Sequence, residues 1–172
     1  MPQACQVLIV ANRTAAGPEL LDAIRERALE AAASFHLVVP ASPHGLHRVV
    51  DPEVAGRAEA QQRLETALPE LSAAAGGVVT GHVGDSDPLA AIHDAVFVRG
   101  FDEIIVSTLP RRLSRWLHID LPSKARALGL PLRHVEAREA PLVRRERIAP
   151  HSESPERLHD ADRFPDGAVC VV

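Results

Sequence analysis

The chain has 172 residues, which suits one domain; 46% are apolar and only 3% aromatic, with no Tyr, so its core must be aliphatic. A formal net charge of −4 excludes the domain-wide basic field that nucleic acid or an anionic membrane would need. No apolar run approaches the ~20 residues of a membrane span, and the chain reads as a soluble cytoplasmic protein.

The first strand is predicted over residues 6–12 (QVLIVAN), an almost unbroken run of branched apolar side chains of the kind buried on both faces of a parallel sheet. It reads as a strand and not as a signal peptide, because no basic start precedes it. Cys5 and Cys170 stand near opposite ends and read as free thiols in a reducing compartment. Gly17-Pro18 opens a helix expected to end near Ser34, with Leu21, Ile24 and Ala28 at helical spacing. A second strand follows over 35–40, then a loop over 41–52 rich in turn formers. A long helix is expected over 53–75, striped by Leu64, Leu68 and Leu71, with a kink or break at Pro69.

The third strand is predicted over 78–83. Asp87-Pro88 starts a helix whose apolar face is Leu89, Ile92 and Val96, and Gly100 stops it. The fourth strand spans 102–108. A basic loop over 109–119 comes next, then a helix capped by Asp120 and closed by Gly129. A fifth strand covers 132–137. Strands alternating with helices predict βαβ units around one parallel sheet. Residues 139–172 lack periodicity and read as a tail, with the apolar 168–172 a candidate edge strand.

This order resembles the universal stress protein family over residues 6–138, most specifically after the fourth strand. ATP-binding members carry G-x2-G-x9-G-[ST] there, where glycines admit phosphates to the backbone and a helix N-terminus. Here Ser107, Pro110, Asp120 and Leu121 occupy the four signature positions. Pro110 removes a donor, and Asp120 is expected to cap the helix and repel a second anion. The resemblance implies a single doubly wound five-stranded sheet in order 3-2-1-4-5, helices on both faces, and a homodimer formed through an edge strand. It also implies a degenerate nucleotide site: ATP or another nucleotide is disfavoured as cofactor, and ATP is not expected in the usual pose.

Ligands of open parallel sheets bind where strand order reverses, at the carboxyl ends of the strands. That crevice lies between the first and fourth strands. The candidates there are Asn12, Arg13 and Thr14, with Ser107 and Thr108; Asn12 stands near the family's base- or ribose-binding Asp. Val39 and Pro40 end the second strand and are carried as further candidates, with Gly84 and Asp85 after the third. For Gly84 and Asp85, a turn leading into a helix cap is the stronger reading. Arg111, Arg112 and Arg115 surround Ser114 and can hold a phosphate or carboxylate, or else form a solvated loop. Trp116, the only Trp, either stacks on a ligand or packs against the sheet. His44, His47 and His82 lack nearby cysteines, and no metal site is expected. No nucleophile or base arrangement stands out, so no enzyme is expected. Three functions remain open: a ligand-binding regulatory module, a ligand-free dimeric interaction protein, and a nucleotide-cleaving or phosphate-transferring enzyme.

Overall fold

A computed structural model describes residues 4–42, 52–110 and 112–138. In chain order the elements are β1 (Cys5–Val10), α1 (Pro18–Glu30), β2 (Ala33–Pro40), α2 (Pro52–Ala75), β3 (Thr80–Gly84), α3 (Pro88–Arg99), β4 (Glu103–Thr108), α4 (Arg115–His118), α5 (Leu121–Arg126) and β5 (Leu132–Glu136). Every strand pairing is parallel, in the order β3-β2-β1-β4-β5. The predicted fold class is the one observed.

The central strand explains the unbroken apolar run. In β1, Val7 and Ile9 enter a core with Leu20 and Ile24 of α1 and with Ala60, Leu64, Ala67, Leu71 and Ala74 of α2. Leu8 and Val10 enter the opposite core with Ala91, Ile92 and Ala95 of α3 and Leu121 and Ala125 of α5. A strand covered on both faces needs apolar residues at every position. Ile9 lies opposite Leu37 on one side and Ile105 on the other, which fixes the register at the centre.

Boundaries differ from expectation where tertiary pairing wins. α1 ends at Glu30, and Ser34, expected as its end, lies in β2 opposite Gln6. Ala31 is already extended, and Cys5 N–H donates to the Ala32 carbonyl at 3.0 Å, so the sheet takes the chain before the helix can continue. α2 runs through Pro69 without a break. Its small-and-large stripe, Ala60 to Ala74, is buried on both sides of the proline and offsets the lost hydrogen bond. Asp87 caps α3 as predicted: its Oδ1 accepts from Leu89 N–H at 2.9 Å, and Gly100 closes the helix at φ 69°. The loop expected over 109–119 contains the single turn α4, capped by Ser114 accepting from Leu117 N–H at 3.3 Å.

One expectation fails in its chemistry. Asp120 precedes α5, but its side chain makes no cap hydrogen bond, and its backbone is left-handed at φ 55°. The chain must reverse sharply between α4 and α5, and Asp is one of the few non-glycine residues that tolerates that region. The tail and edge strand expected over 139–172 lie outside the described residues, as do His44, His47, Cys170 and Arg111.

Candidate functional site

The order reversal at β1 and β4 opens a cleft of about 380 Å³ at their carboxyl ends. Its floor comes from the residues that follow these two strands. Thr14 Oγ1 donates to the Ser107 carbonyl at 3.2 Å and ties the loop after β1 to the end of β4. Asn12 is only 7% exposed. Its Nδ2 donates to the Pro40 carbonyl at 3.1 Å. A carbonyl can only accept, so this bond fixes the amide and turns Oδ1 the other way. That Oδ1 is buried and has no hydrogen-bond partner among the described residues.

On the far side of the cleft, Ser42 Oγ donates to the Ser86 carbonyl at 2.8 Å, joining the ends of β2 and β3. The remaining wall is apolar: Pro88, Leu109, Leu113, Trp116 and Ile119. The only charged lining residues among those described are Arg13 and Arg115. Among the described lining residues no carboxylate competes with them, an arrangement suited to negative charge beside an apolar wall.

Seven sequence candidates are thus brought together: Asn12, Arg13, Thr14, Ser107, Thr108, Ser114 and Arg115. The others go elsewhere. Val39 is buried in the core beneath α1 and α2. Pro40 reaches the site only through the carbonyl that holds Asn12. Gly84 is a packing residue, since a Cβ there would lie 2.8 Å from both Ala91 Cβ and Val38 Cγ1. Asp85 Oδ1 accepts from Asp87 N–H at 2.7 Å and shapes the turn into α3. Arg112 is exposed and not part of the wall. Asp120 lines a second cavity, beside β5, so its carboxylate does not fill the cleft. Trp116 lines the cleft and also packs against the α3–α5 core, as its packing reading expected. Sequence reasoning missed Ser42, Ser86, Pro88 and Ile119. Their only signal is position, next to strand ends and in the loop after β4.

A polar chain centred on the buried His36 lies on the α3 side of β2 and β3. Arg99 Nη1 and Thr80 Oγ1 approach His36 Nδ1 at 3.1 and 2.6 Å. A guanidinium can only donate, so Nδ1 is the acceptor, and His36 Nε2–H donates to His82 Nδ1 at 2.8 Å. Burial, then Arg99 and His82, hold the His36 pKa down at about 4. Burial and Arg99 also lower that of His82. Among the described residues, no group of three or more His, Cys, Asp or Glu is placed to hold a metal ion.

No protein-family model matches the sequence, and no curated protein does. Solved structures do match. The chain is similar to a universal stress protein in complex with cAMP, at 16% identity over 78% of this chain and 98% of that one, with a TM-score of 0.54. It is similar to the universal stress protein from Archaeoglobus fulgidus in complex with dAMP, at 18% identity over 78% and 99%, with a TM-score of 0.50. It is also similar to a universal stress protein family member from Burkholderia pseudomallei, at 16% identity over 78% and 97%, with a TM-score of 0.55. From β1 through β5, this chain therefore has the fold of the universal stress proteins.

Proposed function

We propose that this chain is a divergent universal stress protein that acts as a regulatory module, holding a small anionic ligand in the cleft without transforming it. The ligand class is a nucleoside monophosphate or a cyclic equivalent. The observation that carries this is the lining of the cleft among the described residues: two guanidiniums, no carboxylate, and an apolar wall that includes Trp116. The wall of Trp116, Leu113 and Ile119 suits a flat ring, and Arg13 and Arg115 suit one phosphate. Two structural neighbours are in complex with cAMP and dAMP, both monophosphates, which agrees with this class.

A triphosphate in the usual pose fits less well. Pro110 offers no N–H, and the segment after it folds into the turn α4, where a glycine-rich loop would present its backbone. Asp120 has no part in this, because it lines the other cavity. No imidazole or carboxylate is among the described lining residues, which supports binding without chemistry. Trp116 provides the test, since its fluorescence should respond to ligand. Titration with cAMP, AMP and ATP should show saturable responses to the first two and weaker binding of ATP. ATP binding tighter than either, or release of phosphate from ATP, would count against the proposal.

The same proposal includes a cytoplasmic location and a homodimer formed through the edge strand β5. Among the described residues no helix is long and apolar enough to cross a membrane. The alternative, an interaction protein without ligand, is favoured by one observation: Phe97 and Val98 of α3 are 92% and 76% exposed. If that reading holds, Phe97→Ser abolishes self-association or partner capture while the cleft binds nothing.

A further inference from the structure

Thr108 belongs to two environments. It forms part of the cleft wall, and its Oγ1 lies 2.8 Å from Nε2 of His134 on β5. Thr108 is only 2% exposed, so bulk water does not substitute for this partner. His134 lines a second cavity, of about 310 Å³, with Asp120, Arg126 and Glu136. The Thr108–His134 hydrogen bond therefore links two separate cavities.

A hydroxyl has one hydrogen, and the state of the imidazole decides where it goes. When His134 is neutral with its proton on Nδ1, Nε2 accepts the Thr108 hydrogen, and Oγ1 offers only lone pairs to other partners. An imidazolium reverses the bond: Nε2–H donates to Oγ1, and the hydroxyl hydrogen is free to turn. An anion is repelled by the first arrangement and bonded by the second. The charged groups facing His134 are Glu136 on its own strand, Arg126 on α5 and Asp120 at the turn before α5. β4 contributes the Thr108 hydroxyl, and α1 meets β5 through the Glu26–Arg133 ion pair. Burial holds His134 below the ordinary histidine range; Glu136 opposes this and Arg126 adds to it. The ring is thus neutral near pH 7 and able to gain a proton on acidification.

We propose that His134 is a positioning residue that turns Thr108 from acceptor to donor toward an anion in the cleft, so that binding strengthens on acidification. This rests on the cleft being a ligand site. Thermodynamic linkage then requires that a bound anion favour protonated His134.

Cyclic AMP is the probe, because its diester charge does not titrate where histidine does, between about pH 5 and 8. Its Kd, read from Trp116 fluorescence, should be roughly fivefold lower at the acid end of that range. Saturating cyclic AMP should raise the His134 pKa read by NMR. His134→Gln keeps a hydrogen-bonding side chain that cannot titrate, and should bind with one Kd at both ends of the range. His36 and His82 are unaltered in that variant, so their titration is controlled. If the unaltered protein binds no cyclic AMP at any pH, the cleft reading fails and the relay with it. If binding occurs with a Kd independent of pH, or if His134→Gln keeps the pH dependence, the relay alone is overturned. Should that variant not fold, a His134 pKa unmoved by saturating cyclic AMP in the unaltered protein overturns it equally.

Discussion

Asn12 ties two strand ends with one side chain. Its Nδ2 holds the Pro40 carbonyl and so joins the ends of β1 and β2, while its Oδ1 is buried with no hydrogen-bond partner among the described residues. Asn12→Asp should therefore destabilise the protein. It sets a carboxylate oxygen against the Pro40 carbonyl, at a cost of about 1–3 kcal/mol in urea denaturation. An unchanged midpoint would mean that the Asn12–Pro40 bond contributes nothing. His36 makes a second prediction. Its folded pKa, about 4, lies below the unfolded value of 6.5, so the unfolded chain takes up the proton first as pH falls. The contribution to stability is complete above pH 6.5 and declines between there and about 4. The total loss is on the order of 2–3 kcal/mol. Replacing His36 with Asn should flatten that part of the stability profile; a profile with the same slope would contradict the neutral His36–His82 chain.

The turn from β3 into α3 is a packing device. Gly81 and Gly84 have no room for a Cβ: at Gly81 it would lie 2.7 Å from the Leu37 carbonyl oxygen, and at Gly84 2.8 Å from Ala91 Cβ. Backbone or neighbouring helix must shift to admit it, so Gly84→Ala should cost about 1–3 kcal/mol and lower the thermal midpoint. A neutral result there would reopen the ligand role considered for Gly84. The edge strand β5 gives a test of assembly. Pro131 accepts from Ile104 N–H, and Ala137 N–H donates to the Thr108 carbonyl, so odd-numbered residues of β5 bond to β4 and even-numbered ones face outward. Glu136→Pro removes an outward donor without breaking the inner ladder. Sedimentation should show the variant as a monomer. A variant that stays dimeric would move the interface away from β5.

Taken as a unit, the sheet places its polar cleft at one end and the Arg27–Glu103 ion pair at the other. Arg27 in α1 meets Glu103 at the start of β4 at 2.6 Å, and Gln6 N–H meets the Asp102 carboxylate at 2.8 Å. These contacts secure the amino ends of β1 and β4. The carboxyl ends carry Asn12, Thr14, Ser107 and Thr108 around the cleft. The amino ends are thus tied by charge-assisted contacts, and the polar cleft lies at the other end of the strands, where the order reverses.

Much of this was legible in the sequence because local rules and tertiary packing agree. Branched apolar runs marked β1 and β4, Asp87-Pro88 and Gly100 marked the ends of α3, the alternation of elements gave the parallel sheet, and the resemblance to the universal stress proteins implied the order β3-β2-β1-β4-β5. The position of the cleft followed from that order, and with it the grouping of Asn12, Thr14, Ser107 and Arg115. What the sequence could not decide depends on groups distant in the chain. The left-handed Asp120 follows from the reversal between α4 and α5, and its carboxylate faces another cavity. The unpartnered Oδ1 of Asn12 exists because a carbonyl 28 residues away holds the other end of the amide. The Thr108–His134 bond spans 26 residues. Propensity and spacing act over a few residues, whereas burial and hydrogen-bond direction are set by neighbours that only the folded sheet brings together.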